Sequence, residues 1–143
     1  MIRDDVKICA FEDIRHRSQV IELWEGVFAY EAKHNGPEVI IDKKLAVKDG
    51  LFFVATHDSA VIGTVMAGYD GHRGWIYSLA VRPEWRKQKI GSALLQHAEK
   101  ALAARGCVKI NLQIMEGNEA VEAFYLANGY ATEKRISMGK RLL

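Results

Sequence analysis

Cysteine, proline, long apolar runs and one-sided charge are all scarce in this chain of 143 residues. Its two cysteines, Cys9 and Cys107, lie far apart, each beside apolar residues; this leaves no disulfide framework and predicts two buried, reduced thiols. Its two prolines, Pro37 and Pro83, punctuate loops, and there is no repeat, low-complexity tract or linker. No stretch approaches the roughly 20 apolar residues that a membrane helix needs. The opening MIRDDVKICAFED lacks the apolar core of a secretory signal, so a cytoplasmic protein is the expectation. The five histidines (His16, His34, His57, His72 and His97) form no pair with metal-ligand spacing, which predicts no metal site. The net charge of +2, from 20 basic and 18 acidic residues, is too balanced for a general binder of nucleic acid or membrane, although it permits local asymmetry.

What remains is ordinary globular composition, 49% apolar and 27% charged. The length suits one domain, residues 1–143, around a single core. VKICAF reads as a first strand. Val20, Leu23, Trp24, Val27 and Phe28 share one face of an amphipathic helix over roughly Asp13 to Phe28. After the break at Asn35 to Pro37, Val39 to Val47 predicts a short second helix. LFFVATH, the tight turn DS and AVIGTVMAGY form a hairpin, and WIYSLAV follows after the Gly-bounded DGHRG. The strongest helix starts at Ile90, with Ala93, Leu94, Ala98, Ala101 and Leu102 on one face, and stops near Arg105 at Gly106. VKINLQI predicts another strand. Asn118 then caps a helix running to about Asn128 and stopped by Gly129, and the tail YATEKRISMGKRLL reads as two short strands or a hairpin. The order argues for an α/β sandwich with a mixed sheet, in which WIYSLAV and VKINLQI run parallel across a helical crossover.

Chemistry concentrates between WIYSLAV and the long helix, where VRPEWRKQKIGSALL places Arg86, Lys87 and Lys89 just before a helix start. A helix N-terminus presents unpaired N–H groups and a dipole that favours negative charge. Gly91 lets a ligand approach the main chain, and the cations add bidentate or mobile contacts. A diphosphate seat is one reading; a solvated basic turn is the other.

The arrangement resembles the GCN5-related N-acetyltransferases. Their acetyl-CoA loop, Arg/Gln-x-x-Gly-x-Gly/Ala, is matched by Arg86-Lys87-Gln88-Lys89-Ile90-Gly91. Their later pattern is matched by Asn118, Phe124, Tyr125, Gly129 and Tyr130, with Val121 in the place of the family alanine. The stretch VMAGYDGHRGWIYSLAV further resembles the YpeA-like group of small bacterial acetyltransferases. The resemblance implies a mixed, mostly antiparallel sheet of six to seven strands with a central splayed parallel pair, flanked by about four helices. It implies acetyl-CoA as cosubstrate, held by backbone groups near Leu79, Ala80 and Val81, by Arg86, Lys87, Gln88, Lys89, Ile90, Gly91 and Ser92, and by Asn118 on the pantetheine arm. It also implies direct attack by an amine, with Tyr125 protonating the departing thiolate. A phenol with a pKa of about 10 holds a proton to give; the competing reading of Tyr125 is an amphipathic core residue. Lys89 replaces the first family glycine. It is tolerable if its φ stays negative, and its ammonium then either contacts phosphate or crowds the loop.

The general base is less defined. Gln113 occupies the place of a glutamate used by some family members and cannot serve, and Ser78 stands where others carry a carboxylate. Glu116 is one candidate, against a solvated loop charge. His72, oriented by Asp70, is another, against a plain turn, and a water relay is a third route. Trp24, Phe28, Tyr30, Tyr69 and Trp75 are candidate walls of an acceptor pocket, although helical spacing favours Trp24 as core. The leading expectation is an N-acetyltransferase acting on an amine of a small molecule or protein. A catalytically weak acyl-CoA sensor on the same fold is the alternative. A nucleic-acid-binding domain, suggested by basic residues between Arg82 and Lys109, lacks stacked aromatics and a recognition helix. The resemblance leaves a homodimer open, with the C-terminal strands as its surface.

Overall fold

The structure, a computed structural model, describes residues 2–28 and 36–143. They form two compact units, Met1–Leu112 and Gln113–Leu143. The first holds a sheet in the order β1 (Val6–Ala10), β2 (Phe52–His57), β3 (Ala60–Tyr69), β4 (Gly74–Val81) and β5 (Ile110–Asn111). Neighbours are antiparallel except β4 and β5, which run parallel as a helical crossover requires. Asp58 and Ser59, at φ 48° and 68°, close the β2–β3 hairpin with the left-handed pair that a two-residue turn demands.

Helices α1 (Asp13–Val27) and α2 (Pro37–Val47) bury their apolar stripes on one face of the sheet, where Val20, Leu23, Trp24 and Ile41 meet Phe52, Val54, Val61, Met66 and Ala80. Helix α3 (Ile90–Ala104) buries Ile90, Leu94, Leu95, Ala98 and Leu102, and packs on β2, β3 and β4. Each fully buried aliphatic side chain contributes about 1.5–3 kcal/mol, so these two stripes fix the layers. Alternation along β3 separates the faces: Thr64 reaches Trp24 of α1, while Gly63 lies against Leu94 of α3. The second unit contains α4 (Glu119–Ala127), with Asn118 as its N-cap.

Several expectations change. Five strands are present among the described residues, not six to seven. β5 is only Ile110–Asn111, shorter than VKINLQI, and no strand is assigned from Tyr130 to Leu143. Alternation alone makes no strand without a partner backbone to bond, and residues 131–143 are exposed. The cysteines are free but not buried: Cys9 is exposed and Cys107 half-buried. Cys9 lies on edge strand β1, where an apolar neighbourhood in sequence does not guarantee cover. Trp24 is fully buried core, not a pocket wall, and Tyr30 lies outside the described residues.

Candidate functional site

β4 changes face midway. Met66 is aligned with Tyr77, but Thr64 with Ala80, so Ser78 and Leu79 together stand opposite Val65. This is a β-bulge, and Ser78 adopts φ 51° within it. Tyr77 and Ala80 thus share the face of α1, although three residues apart, and Ala80 joins the core there. Thr64 Oγ1 donates to the Ser78 carbonyl at 2.9 Å and accepts from Trp24 Nε1 at 2.8 Å.

Beyond the bulge the outer edge of β4 has no strand beside it among the described residues, because β5 pairs only with Gly74 and Trp75. The Arg82 N–H donates to the Ile62 carbonyl at 2.9 Å, which turns the backbone of Val81 away from β3. The Val81 carbonyl accepts from Arg86 Nε at 3.3 Å. Arg82 anchors this corner: its Nε donates to the Val61 carbonyl at 2.8 Å, and its guanidinium pairs with Glu22 of α1 at 3.3 Å.

A 3₁₀ turn, Pro83–Trp85, leads into the basic loop. Trp85 is flanked by the Arg3 guanidinium, 5.2 Å from its ring centroid, and by the His57 ring at 4.7 Å. Arg86 is extended, and both Lys87 and Lys89 are left-handed at φ 62° and 66°. The condition under which Lys89 was expected to be harmless, a negative φ, is therefore not met. A left-handed helix N-cap suits glycine, and lysine holds it at a cost of about 1–2 kcal/mol. Among the described residues no hydrogen bond engages the backbone N–H groups from Lys87 through Ser92, and Lys89 makes no side-chain cap. Unengaged N–H groups at a helix start favour an anion, and left-handed residues in a turn are one way in which successive N–H groups form an anion-binding nest. Arg86, Lys87 and Lys89 are exposed, Gln88, Gly91 and Ser92 half-buried, and Ile90 is locked into the core. Leu79 and Val81 are half-buried and Ala80 is buried.

In the second unit, Asn118 Oδ1 accepts from the Val121 N–H at 3.3 Å, which leaves its amide nitrogen outside the cap. Tyr125 is 8% exposed, its ring edge-on to Phe124 and Tyr130, and burial pushes its phenol up to about 12. Glu116 is an exposed turn residue before Gly117, and Gln113 Nε2 donates to Ser137 Oγ at 2.5 Å. In the first unit, His72 is exposed. The Asp70 carboxylate accepts from the backbone N–H groups of His72 and Arg73, both at 2.7 Å. Those two bonds hold the carboxyl below its usual range, and they organise the turn, not the imidazole.

Two residues at this site, Thr64 and Arg82, escaped the sequence reading. The available signal was a hydroxyl in the middle of the apolar run AVIGTVMAGY, which a buried position tolerates only with a partner.

A model of the acetyltransferase (GNAT) family matches residues 17–130. An acetyltransferase of Yersinia enterocolitica is 43% identical over 125 residues, covering 87% of this chain and 88% of its own. The PaiA N-acetyltransferase of Thermoplasma acidophilum, solved in complex with coenzyme A, shares the fold at a TM-score of 0.78 and 22% identity, covering 92% of each chain. Glucosamine-6-phosphate N-acetyltransferase of Arabidopsis thaliana does so at a TM-score of 0.71 and 19% identity, over 95% of this chain and 97% of that one.

Proposed function

The chain belongs to the GNAT acetyltransferase family, and from that premise we propose that it transfers an acetyl group from acetyl-CoA to a primary amine of a small molecule or protein. The observation that carries the reading is the run of unengaged backbone N–H groups from Lys87 through Ser92, where β4 delivers the chain into α3. In this reading they hold the pyrophosphate, with Arg86, Lys87 and Lys89 supplying positive charge, and the outward backbone of Leu79 and Val81 pairs with the pantetheine amides. In the second unit, Asn118 keeps its amide nitrogen outside the cap, as a donor available to an acyl-CoA amide.

The amine nitrogen attacks the thioester carbonyl, the carbon–sulfur bond breaks and the amine loses a proton. Tyr125 arrives protonated and donates an O–H to the developing thiolate. With a phenol at about 12, full transfer to a thiol of ordinary pKa about 8.5 is uphill, so the hydrogen bond itself does most of the stabilising. Water, Glu116 or His72 takes the amine proton; the Asp70 contacts favour water over a His72–Asp70 pair. We place the chain as one acetyltransferase domain acting in the cytoplasm.

A second reading is an acyl-CoA sensor with little turnover. The left-handed lysine in a glycine's place and Gln113 committed to Ser137 favour it. Titrating coenzyme A in a thermal shift assay tests both readings: a rise in Tm that grows with ligand is expected, and none at millimolar ligand overturns both. Thiol release across an amine panel separates them.

A further inference from the structure

We infer that Trp24 and Thr64 are positioning residues that hold the β4 bulge in the shape that receives acyl-CoA; this rests on the proposed function. Thr64 is fully buried, and its hydroxyl lies between an indole N–H and a carbonyl. An indole N–H can only donate and a carbonyl can only accept. The proton order is therefore fixed: Trp24 Nε1 gives to Thr64 Oγ1, which gives to the Ser78 carbonyl. The chain of bonds runs from α1, through β3, into the one residue of β4 with a positive φ.

Ser78 needs such support. It carries a side chain in a conformation that favours glycine, and the bulge interrupts its ladder on β3. Were β4 to relax into regular pairing, every residue after Ser78 would change face: Ala80 would leave the core and the backbone of Leu79 and Val81 would turn. Thr64 thus decides which way the edge of β4 presents itself, although among the described residues its hydroxyl bonds only to Trp24 and Ser78 and is closed off from solvent.

The test compares Thr64→Val, which removes the hydroxyl, with Thr64→Ser, which keeps it, and with Val20→Ala, a cavity in the same core cluster that leaves the bonds intact. Coenzyme A binding is read by calorimetry, and the backbone amides of Ser78, Leu79 and Ala80 by NMR in the unliganded protein. Thr64→Val is expected to weaken coenzyme A binding about tenfold and to shift those amides. Thr64→Ser should retain near-native values of both, and Val20→Ala should lower Tm without moving either. Trp24→Phe should follow Thr64→Val. Unchanged amides and affinity in Thr64→Val overturn the inference, as does equal weakening by Val20→Ala. If the wild-type protein fails to bind coenzyme A, the proposed function falls, and the amide shifts alone then decide whether the hydroxyl holds the bulge.

Discussion

A Cβ built on Gly63 would lie 3.0 Å from the Ala80 carbonyl oxygen and 2.9 Å from Leu94 Cδ1. The leucine methyl can rotate aside, but the carbonyl belongs to β4 and cannot move without the strand. Gly63 is therefore where β3 lets β4 and α3 close together beside the candidate acyl-CoA edge. Gly63→Ala is expected to cost about 1–3 kcal/mol of stability by overpacking. It should also weaken coenzyme A binding, because the displaced carbonyl sits between Leu79 and Val81. Denaturant unfolding and calorimetry check both effects; a neutral variant would mean that the sheet yields more readily than this geometry implies.

Lys89→Gly separates strain from ligand contact. Relief of a left-handed lysine is worth about 1–2 kcal/mol, offset by about 0.4–1 kcal/mol for the greater freedom of glycine in the unfolded chain. A net gain of roughly 0.5–1 kcal/mol is expected in urea unfolding. Coenzyme A affinity should fall a few-fold with the loss of a cation beside phosphate. Tighter binding would instead mark Lys89 as an obstruction.

Tyr125→Phe is expected to reduce kcat about 100-fold with little change in the KM for acetyl-CoA, as loss of a hydrogen bond made to the developing thiolate should. Because burial holds this phenol at about 12, it stays protonated through the working range. A basic limb in the wild-type pH–rate profile below about pH 10 must therefore come from another group and should persist in whatever activity the variant keeps. An unchanged kcat removes Tyr125 from the chemistry.

Stability should depend on pH through His16. Its ring is buried, with Nδ1 accepting from the Glu12 N–H at 2.9 Å, and desolvation holds its pKa below the ordinary value, opposed by the smaller effect of Glu12 and aided by Arg15. The folded state binds this proton more weakly than the unfolded chain, whose histidine titrates at about 6.5. The contribution is complete above that pH, falls as pH drops through it, and levels off below the folded value. His97, lowered by burial and by Lys100, acts in the same direction. Tm should decline between pH 7.5 and 5, and less steeply in His16→Asn, which keeps an acceptor near the same place. A Tm independent of pH over this range would show that the ring is not desolvated in solution.

The helices and the hairpin were legible because their signals are local. The spacing of Val20, Leu23 and Trp24, the turn pair Asp58-Ser59 and the stop at Gly106 each act over a few residues. The basic loop was legible for the same reason, since strand, cations and helix start are contiguous from Val81 to Leu95. The length of β5, the missing tail strands and the exposure of Cys9 were not, because each depends on whether another backbone lies alongside.

By itself the sequence determined where the elements lie and which loop carries the charge, through periodicity and capping that need no distant partner. Only the tertiary structure decided that Ser78 sits in a bulge, that Lys87 and Lys89 are left-handed, and that Trp24 and Thr64 bond in series. Those outcomes follow from register between strands and from the need of a buried hydroxyl for partners, which residues 40 apart in sequence supply only once the chain has folded.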